Sequence, residues 1–446
     1  MKISIIGTGY VGLITGICLA EKGHFVIAVD LDTEKVESIN AGKMPIHEPG
    51  SGDLLLKHIG TRFGVTTDLA DAVRGSELTF IAVGTPFDGK EIDLTFIRNA
   101  AASIGAAFRE KSGYHVVIVK STVVPGTTDE VVRTILEKES GKRAGVDFGL
   151  GMNPEFLSEG SAVADFMHPD RIVLGGIDDR TQDALAEVYA SFEGVPVLRT
   201  STKTAEMIKY TSNALLATAI SFSNEIARFC SDVGGIDCAE VMRGVHLAQY
   251  LTPFTPAGRI RAPIAAFFEA GCGFGGSCLP KDVKALIARG ARAGSDMKLL
   301  REVIEINEGQ PWHMLALLRK GLGRDDLRGV PVAVLGLAFK PETDDLRESP
   351  AFPLIDLLLA EGAEVVVYDP VALEGARKRL ADRKVAYASS LEEALLRSTA
   401  LALVTSWSEF AEIPALLEKL DREPVVVDGR RMLDKRKIKH YFGIGL

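Results

Sequence analysis

The chain has 446 residues, 46% of them hydrophobic and 25% charged, which is the composition of a soluble globular protein with two or three domains. Its net charge of −9 and its pI of about 5.6 argue against a nucleic-acid-binding protein, which would carry a basic face. No apolar run is long enough to span a membrane and the five cysteines show no zinc or C-x-x-C spacing, so we expect a cytoplasmic protein with no metal site and with these free thiols: Cys18, Cys230, Cys238, Cys272 and Cys278.

The first half of the chain alternates short apolar runs with amphipathic stretches. Residues 1–7 predict a strand, residues 9–23 a helix, and residues 24–30 the next strand. Apolar runs followed by turns recur at residues 78–86, 115–126, 148–156 and 171–176. Strands that alternate with helices imply crossover connections and a parallel sheet.

A G-x-G-x-x-G motif lies between the first predicted strand and helix. Gly7 permits a tight turn, Gly9 lets the backbone approach a pyrophosphate, and Gly12 lets the helix pack closely on the strand. Asp30 ends the next strand, where it would accept hydrogen bonds from a ribose hydroxyl and repel the extra phosphate of NADP. The context favours NAD bound at the helix N-terminus over a glycine turn without a ligand.

The rest of the chain changes character twice. From about Thr202 to about Arg319 helical repeats dominate, and residues 204–234 give the longest of them. After about Arg328 the alternation of strands and helices returns. We expect an α/β fold in which two Rossmann-like, doubly wound parallel sheets are joined by a long central helix or helical domain. The predicted domains are residues 1–201, 202–325 and 326–446.

The densest chemical signal is GFGGSCLPKD, at residues 273–282. Its glycines would let the backbone crowd a ligand, and they place Cys278 on a tight loop. Lys281 and Asp282 follow within four residues, and a nearby cation favours the thiolate that attacks carbonyl groups. The alternative is a small buried thiol.

Two polar clusters accompany this loop. Glu155 and Glu159 in NPEFLSEG are four residues apart and would share one face if the segment were helical. Glu206, Lys209 and Asn213 recur every three to four residues on the predicted central helix. The alternative for the first cluster is an exposed acidic turn, and the alternative for the second is a solvated edge of the helix.

Nine motifs in order along the chain resemble the UDP-glucose/GDP-mannose dehydrogenase family over nearly the whole length. They are GTGYVGL, VGTP, STVVPGT, NPEFLSEG, HPDRIVLG, EMIKYTSN, GFGGSCLPKD, LGLAFKPETDDLRESP and VDGRR. The resemblance implies an NAD-binding domain, a helical dimerisation bridge and a UDP-binding domain, assembled as a homodimer or higher homo-oligomer. It implies that a sugar C6 alcohol is oxidised to a carboxylate through a cysteine thiohemiacetal and thioester, with two NAD consumed.

The resemblance also implies roles for individual residues. Cys278 would be the nucleophile, and other groups would stabilise oxyanions, handle the hydrolytic water or contact the sugar. The catalytic set is Cys278, Lys209, Asn213, Asp282, Thr122 and Glu155. The cofactor-binding set is Gly7, Gly9, Tyr10, Val11, Gly12, Asp30, Lys35, Thr85, Thr122, Glu159 and Arg347. The substrate-binding set is Glu155, Phe156, Leu157, Lys209, Asn213, Gly275, Phe339, Lys340 and Arg430.

Two departures from the family pattern bear on the sugar. An arginine before the glycine loop reaches a neighbouring subunit's substrate in the family, and Arg259 and Arg261 are both candidates for it here. Leu279 follows the cysteine, where the UDP-glucose branch commonly has Phe and the GDP-mannose branch has Leu.

From the resemblance as a whole, and despite these two departures, we expect UDP-glucose as the substrate and UDP-glucuronate as the product. GDP-mannose or another nucleotide sugar is the alternative with the same chemistry. A non-catalytic NAD-binding protein is the alternative from another class, and such a protein would need no Cys–Lys–Asp loop. Nucleic acid and membrane are not expected partners.

Overall fold

The computed structural model describes residues 1–256 and 258–446. These residues divide into two compact units, Met1–Ser212 and Asn213–Leu446. A 32-residue helix, Thr202–Val233, begins in the first unit and ends in the second, as the apolar repeat predicts. In the part of the chain described, we find no helix that combines the length and the apolar character needed to cross a membrane.

An eight-stranded sheet forms the centre of the first unit. Its strands are β1 (Lys2–Ile6), β2 (Phe25–Val29), β3 (Phe63–Thr66), β4 (Leu78–Ile81), β5 (His115–Val119), β6 (Phe148–Met152), β7 (Ile172–Gly176) and β8 (Val197–Thr200). They lie in the order β3-β2-β1-β4-β5-β6-β7-β8. Ile3 and Ile5 belong to one buried apolar cluster and Ile6 to another, because alternate side chains of a strand point to opposite faces of the sheet.

Helices connect the strands of this sheet. They are α1 (Tyr10–Glu21), α2 (Thr33–Asn40), α3 (Ser51–His58), α4 (Leu69–Gly75), α5 (Thr95–Phe108), α6 (Arg133–Ser140), α7 (Ala162–Met167) and α8 (Asp179–Val188). A π-helical turn, Thr127–Val132, precedes α6. The strand and helix predicted at the N-terminus correspond to β1 and α1.

One pair of strands departs from the predicted parallel arrangement. β6 and β7 are antiparallel, with Gly151 opposite Gly176 and Met152 opposite Gly175. Antiparallel neighbours need no crossover over the face of the sheet. The connecting segment, residues 153–171, accordingly contains only the six-residue helix α7.

The second unit contains a six-stranded sheet and most of the central helices. After α9 (Thr202–Val233), its helices are α10 (Cys238–His246), α11 (Leu279–Arg292), α12 (Lys298–Glu308), α13 (Gln310–Leu322), α14 (Ala351–Ala360), α15 (Leu373–Arg379), α16 (Leu391–Leu396) and α17 (Ile413–Lys419). Short 3-10 turns lie at Pro263–Phe267, Ser408–Glu412 and Lys435–Lys437. The strands are β9 (Phe254–Thr255), β10 (Gly258–Arg259), β11 (Pro331–Leu335), β12 (Glu364–Tyr368), β13 (Val385–Tyr387), β14 (Ala400–Leu403), β15 (Val425–Asp428) and β16 (Tyr441–Gly443).

The two large sheets share one strand arrangement. The second is fully parallel, in the order β13-β12-β11-β14-β15-β16, which repeats the order β3-β2-β1-β4-β5-β6 of the first. In each sheet an acid after the second strand holds the turn after the first strand. The Thr8 amide donates to Asp30 Oδ2 over 3.2 Å, and the Leu337 amide donates to Asp369 Oδ2 over 2.7 Å. Both halves are therefore doubly wound sheets, as predicted.

Candidate active site

The turn between β1 and α1 has the properties that a pyrophosphate site needs. A Cβ at Gly12 would lie 2.0 Å from the Gly7 carbonyl oxygen, so only glycine allows this packing. A Cβ at Gly9 would meet nothing within 4 Å, so one side of the turn is open. Among the described residues, no side chain caps the first turn of α1, which Tyr10 and Val11 begin. Its N–H groups are therefore positioned for an anionic ligand.

Asp30 lies beside this turn in a small charged network. Its Oδ2 accepts hydrogen bonds from the Thr8 hydroxyl and from Lys35 Nζ, the latter over 3.0 Å. Burial opposes ionisation of Asp30, but the bonds from Thr8 and Lys35 outweigh it and lower the pKa of the carboxyl to about 2. The group is thus a carboxylate at neutral pH, as recognition of an NAD ribose would need.

The ends of two neighbouring strands bring the predicted threonines together. Thr85 follows β4 and Thr122 follows β5, and the Thr85 hydroxyl donates to the Thr122 carbonyl oxygen over 2.8 Å. Carboxyl ends of parallel strands face the ligand crevice in such sheets. The contact supports the expectation that both threonines lie at one edge.

The NPEFLSEG segment is a loop, so the helical arrangement considered for Glu155 and Glu159 is wrong. Glu48 fixes the end of this loop, because its carboxylate accepts from the Gly160 and Ala162 amides over 2.7 and 2.8 Å. The Tyr10 hydroxyl donates to the same carboxylate. Glu159 is therefore held near the start of α1, whereas Glu155 points inward.

Glu155 and Lys209 form a buried ion pair, with 3.0 Å between Oε1 and Nζ. Burial opposes ionisation of Glu155, but Lys209, the Leu157 amide and Lys120 together hold the pKa of its carboxyl below the usual value. Phe156 is next in the loop, and its ring lies 3.8 Å from the Arg171 guanidinium and 5.6 Å from Lys209 Nζ. Breaking such a buried pair from one side typically costs about 3–5 kcal/mol.

Glu206 does not join this pair, although it lies on the same helix, α9. Its carboxylate accepts from the Gly126 amide over 2.6 Å and from the Thr128 amide over 2.8 Å. The Thr128 hydroxyl is a third donor. Glu206 is thus a buried cap for the π-helical turn.

Cys278 lies in the second unit, directly before the first residue of α11, and its side chain is partly exposed. The N-terminus of a 14-residue helix favours negative charge, which supports a thiolate at this position. The Ser277 hydroxyl oxygen lies 3.6 Å from the thiol sulfur. Leu279 is the first residue of α11 itself.

One turn further along α11, Asp282 is held from two sides. The Asn213 side-chain amide donates to Oδ2 over 2.6 Å, and Lys281 Nζ lies 2.5 Å from Oδ1. Asp282 is only 1% exposed, so both partners are needed to stabilise its charge. The structure therefore brings together Asn213, Lys281 and Asp282 near the start of the helix that follows Cys278.

The glycine loop before Cys278 packs against protein. A Cβ at Gly275 would lie 2.3 Å from the Glu348 carbonyl oxygen and 3.1 Å from Phe339 Cβ. At Gly275 the missing side chain makes room for residues 339–348 of the protein, and the close approach of these glycines to a ligand stays a prediction. The backbone amides of the loop are also bonded: Gly271 to Asn224, Cys272 to Gly429, Phe274 to Asn307 and Gly276 to Arg347.

The residues predicted to bind substrate from the C-terminal sheet surround this loop. Arg430 donates from Nε to the Val404 carbonyl oxygen over 2.6 Å and from Nη1 to that of Gly273 over 3.1 Å. Lys340 Nζ lies 5.6 Å from the Phe339 ring. Arg347 is exposed and forms a bidentate pair with Asp345. The structure brings Phe339 and Arg430 to the loop, and their predicted contact with substrate stays a prediction.

The two candidate arginines for a neighbouring subunit are both bound within their own chain. Arg259 donates to the Leu247 carbonyl oxygen over 2.9 Å. Arg261 pairs with Glu269 over 2.6 Å and lies 3.2 Å from a ring nitrogen of His246.

Sequence reasoning missed three residues of the first unit. Lys120 is a buried cation at the end of β5, Asn153 is its acceptor, and Glu48 holds the NPEFLSEG loop. Lys120 does leave a signal, because a lysine interrupts the apolar run HVVIVKST. Glu48 lies in a Pro- and Gly-rich stretch that shows no such pattern.

Comparisons with known proteins cover the whole chain. Residues 1–193, 203–309 and 333–435 match the NAD binding domain, the central domain and the UDP binding domain of the UDP-glucose/GDP-mannose dehydrogenase family. The chain is 45% identical to UDP-glucose 6-dehydrogenase AglM of Haloferax volcanii over 98% of both chains. It is 40% identical to GDP-mannose 6-dehydrogenase of Pseudomonas aeruginosa over 88% of this chain and 87% of that one.

A solved UDP-glucose dehydrogenase from Pyrobaculum islandicum has the same fold, with a TM-score of 0.90 and 39% identity over 99% of this chain and 97% of that chain. The cofactor of the N-terminal sheet is NAD, as the matched domain and the Asp30 network agree. With matches to all three domains of one family and relatives over nearly its full length, the chain belongs to the UDP-glucose/GDP-mannose dehydrogenase family.

Proposed function

We propose that the protein oxidises the C6 alcohol of UDP-glucose to the carboxylate of UDP-glucuronate. The observation that carries the proposal is Cys278 at the N-terminus of α11, with Asp282 buried one turn further on and held by Asn213. An alcohol oxidation alone needs no nucleophile. A thiolate beside a buried acid is what the second oxidation, from aldehyde to acid, requires.

The chemistry divides into two oxidations. NAD, which the turn at Gly9 and Asp30 would hold, would supply the hydride acceptor for each oxidation, with a second NAD replacing the NADH formed in the first. Loss of a hydride from C6 and of the hydroxyl proton gives an aldehyde. The Cys278 thiolate then adds to the aldehyde carbon, and the oxygen becomes the hydroxyl of a thiohemiacetal. Loss of a second hydride and that hydroxyl proton leaves a thioester.

Water completes the reaction by attacking the thioester. The carbon–sulfur bond breaks, the Cys278 thiolate is released, and the carboxylate forms with the loss of protons. The proposal assigns the oxyanions to Lys209 and Asn213 and the water to Asp282 with Thr122. Loss of one oxyanion donor costs about 3 kcal/mol in other enzymes.

The choice of sugar is tested by the release of NADH from UDP-glucose, GDP-mannose and a UDP-N-acetylhexosamine. We expect UDP-glucose to have the highest kcat/KM and to yield two NADH per sugar. The support is the 45% identity to a UDP-glucose enzyme over the full chain. GDP-mannose is the second candidate because Leu279 matches that branch and a GDP-mannose enzyme is 40% identical. A higher kcat/KM for GDP-mannose would reverse the assignment.

Two further expectations belong to this proposal. We infer a homodimer or higher homo-oligomer, because Leu215, Phe222 and Phe229 recur every seven residues on α9 and are about half exposed. Light scattering after size-exclusion chromatography measures the mass.

We infer a cytoplasmic location, because all five cysteines are free thiols.

A further inference from the structure

Lys120 is a cation in the interior of the first unit that none of the roles above uses. It follows β5 directly and is 3% exposed. Its Nζ donates to Asn153 Oδ1 over 2.8 Å and lies 3.4 Å from the Asn153 carbonyl oxygen. Burying a lysine costs free energy, because its charge leaves water. A lysine therefore lies in a protein interior mainly where its charge is paired or has a function.

Asn153 links Lys120 to the NPEFLSEG loop through hydrogen bonds. Its Oδ1 also accepts from the Tyr189 hydroxyl over 2.5 Å, and its side-chain amide donates to the Val173 carbonyl oxygen over 2.9 Å. Its backbone amide donates to Val119 over 2.9 Å. Asn153 is thereby fixed on all sides, two residues before Glu155, so Lys120 anchors the start of the loop that presents Glu155.

Lys120 also acts on Glu155 through charge. The buried cluster of Lys120, Glu155 and Lys209 contains two cations and one carboxylate, and each of the three is less than 9% exposed. Coulomb attraction in an interior falls slowly with distance, so Lys120 stabilises the Glu155 carboxylate without touching it. Burial, together with repulsion from Lys209, lowers the pKa of Lys120 to about 8, and attraction to Glu155 opposes this.

We propose that Lys120 is a positioning residue of the reaction, which anchors the NPEFLSEG loop and keeps Glu155 ionised so that Glu155 holds Lys209 in place. The inference rests on the proposed function, in which Lys209 stabilises oxyanions. It adds a residue that contacts neither substrate nor cofactor and acts through Asn153 and Glu155.

Lys111 provides a matched control at the opposite end of the same strand. It precedes β5, is half-buried, and donates from Nζ to the Val73 carbonyl oxygen over 3.0 Å. Its Nζ also contacts the Ser76 carbonyl oxygen and His115, and neither belongs to the proposed site. Lys111→Met therefore removes a partly buried charge from the segment before β5 without removing one from the cluster of Lys120, Glu155 and Lys209.

The test compares the pH dependence of kcat/KM for UDP-glucose in the two variants. Lys120→Met should lower kcat/KM about ten-fold or more at pH 7 and move the acidic limb up by about one pH unit, because Glu155 loses a stabilising cation. NAD affinity should stay within about two-fold of the wild type, since Asp30 and α1 are untouched. Lys111→Met should leave the acidic limb where it is.

A second variant covers the case in which Lys120→Met does not fold. Asn153→Asp keeps an acceptor for Lys120 and adds a negative charge, so it should move the acidic limb in the same direction. An acidic limb that stays in place in Asn153→Asp, or that moves equally in Lys111→Met and Lys120→Met, overturns the proposal.

An activity-independent measurement separates this inference from the proposed function. Side-chain carboxyl carbons of ¹³C-labelled glutamate are titrated by NMR in the substrate-free protein, with Glu155 assigned from Glu155→Gln. Removing Lys120 should raise the titration midpoint of Glu155, and Lys111→Met should not. If no nucleotide sugar is oxidised but this midpoint moves, the proposed function is wrong and the electrostatic link stands. An unmoved midpoint in an active enzyme refutes the role of Lys120 alone.

Discussion

At the scale of single residues, Asp30 is the residue that we expect to select NAD over NADP. Its carboxylate is ionised at neutral pH and lies between Thr8 and Lys35. We expect Asp30→Ala to weaken NAD binding by about 1–3 kcal/mol, because a charged acceptor for the ribose is lost. The preference for NAD over NADP should shrink as well, since the repulsion of the 2′-phosphate disappears.

Isothermal titration calorimetry with NAD and NADP measures both effects. Glu34→Ala is the control, because it removes an exposed carboxylate from the neighbouring helix α2. It should change neither affinity. Equal affinity of the wild type for NAD and NADP would contradict the assignment.

In the proposed mechanism the covalent step depends on Cys278. Cys278→Ser should still bind the nucleotide sugar and NAD, because the side chain keeps its size and the glycine loop its packing. It should fail to release two NADH per sugar at the wild-type rate, since a serine hydroxyl is almost fully protonated at neutral pH and a poorer nucleophile. A slow ester adduct would accumulate.

Single-turnover NADH yield and intact-protein mass spectrometry detect these outcomes. Cys230→Ala, which changes a buried thiol of α9, should keep two NADH per sugar. Wild-type turnover in Cys278→Ser would show that this thiol is a packing residue.

At the scale of secondary-structure elements, the start of α1 and the turn before it contain two glycines whose replacement should affect different properties, Gly12 the stability and Gly9 the binding of NAD. Gly12→Ala should destabilise the first unit by about 3 kcal/mol or more, because its Cβ would lie 2.0 Å from the Gly7 oxygen and the helix would have to shift. Gly9→Ala should fold as the wild type does, because a Cβ there meets nothing within 4 Å. It should nevertheless weaken NAD binding, since the methyl group occupies the open side of the turn.

Thermal unfolding separates the two variants, and NAD titration of Gly9→Ala completes the comparison. A destabilised Gly9→Ala or a stable Gly12→Ala would mean that the turn is packed differently.

The π-helical turn Thr127–Val132 depends on Glu206, whose protonation should make stability depend on pH. Burial raises the pKa of this carboxyl to about 7, although the Thr128 and Gly126 donors oppose the shift. A group whose pKa is raised on folding stabilises the folded state most below its unfolded value, near 4.5, and this stabilisation is lost as pH rises through 7. The loss amounts to about 3 kcal/mol.

Urea unfolding of the wild type and Glu206→Gln at pH 5 and pH 8 isolates this contribution. The advantage of the wild type should be larger at pH 5. An advantage that grows with pH would show that the three hydrogen-bond donors outweigh burial.

The sequence predicted best those elements that depend on residues close together in the chain. The glycine spacing and apolar periodicity of residues 7–21 gave α1 and its open turn, because both depend on neighbours in the chain. The pair of Glu155 and Lys209 was predicted only as two separate clusters, since the contact joins distant segments. The run at residues 171–176 gave β7 but not its antiparallel direction, since pairing joins separate segments. The three-residue strands β13 and β16 were missed, because short strands carry too few alternating residues.

At the scale of the whole molecule, the two sheets share a strand order, but we expect only the first to bind NAD. Asp369, the counterpart of Asp30, is 1% exposed. Its Oδ2 accepts from the Leu337 and Ala338 amides and from Trp407 Nε1, the last over 3.1 Å, and its Oδ1 accepts from the Val371 and Ala372 amides. Its oxygens are thereby occupied by protein, and no acceptor is left for a ribose.

Calorimetry should therefore give one NAD per chain, and Asp30→Ala should weaken that single site. Asp369→Asn should lower stability without changing the stoichiometry, because it weakens the bonds to four amides and an indole. Two NAD per chain would show that the second sheet binds the cofactor as well.

The bonded glycine loop has a consequence for hydrogen exchange. Four amides between Gly271 and Gly276 donate to Asn224, Gly429, Asn307 and Arg347, which lie on α9, after β15, on α12 and after β11. Exchange of these amides requires several elements to separate at once, so their protection reports sub-global opening of the unit rather than motion of a loop. We therefore expect this glycine-rich segment to be among the slow-exchanging ones, so that Cys278, the proposed nucleophile, follows a backbone that opens only with the rest of the unit.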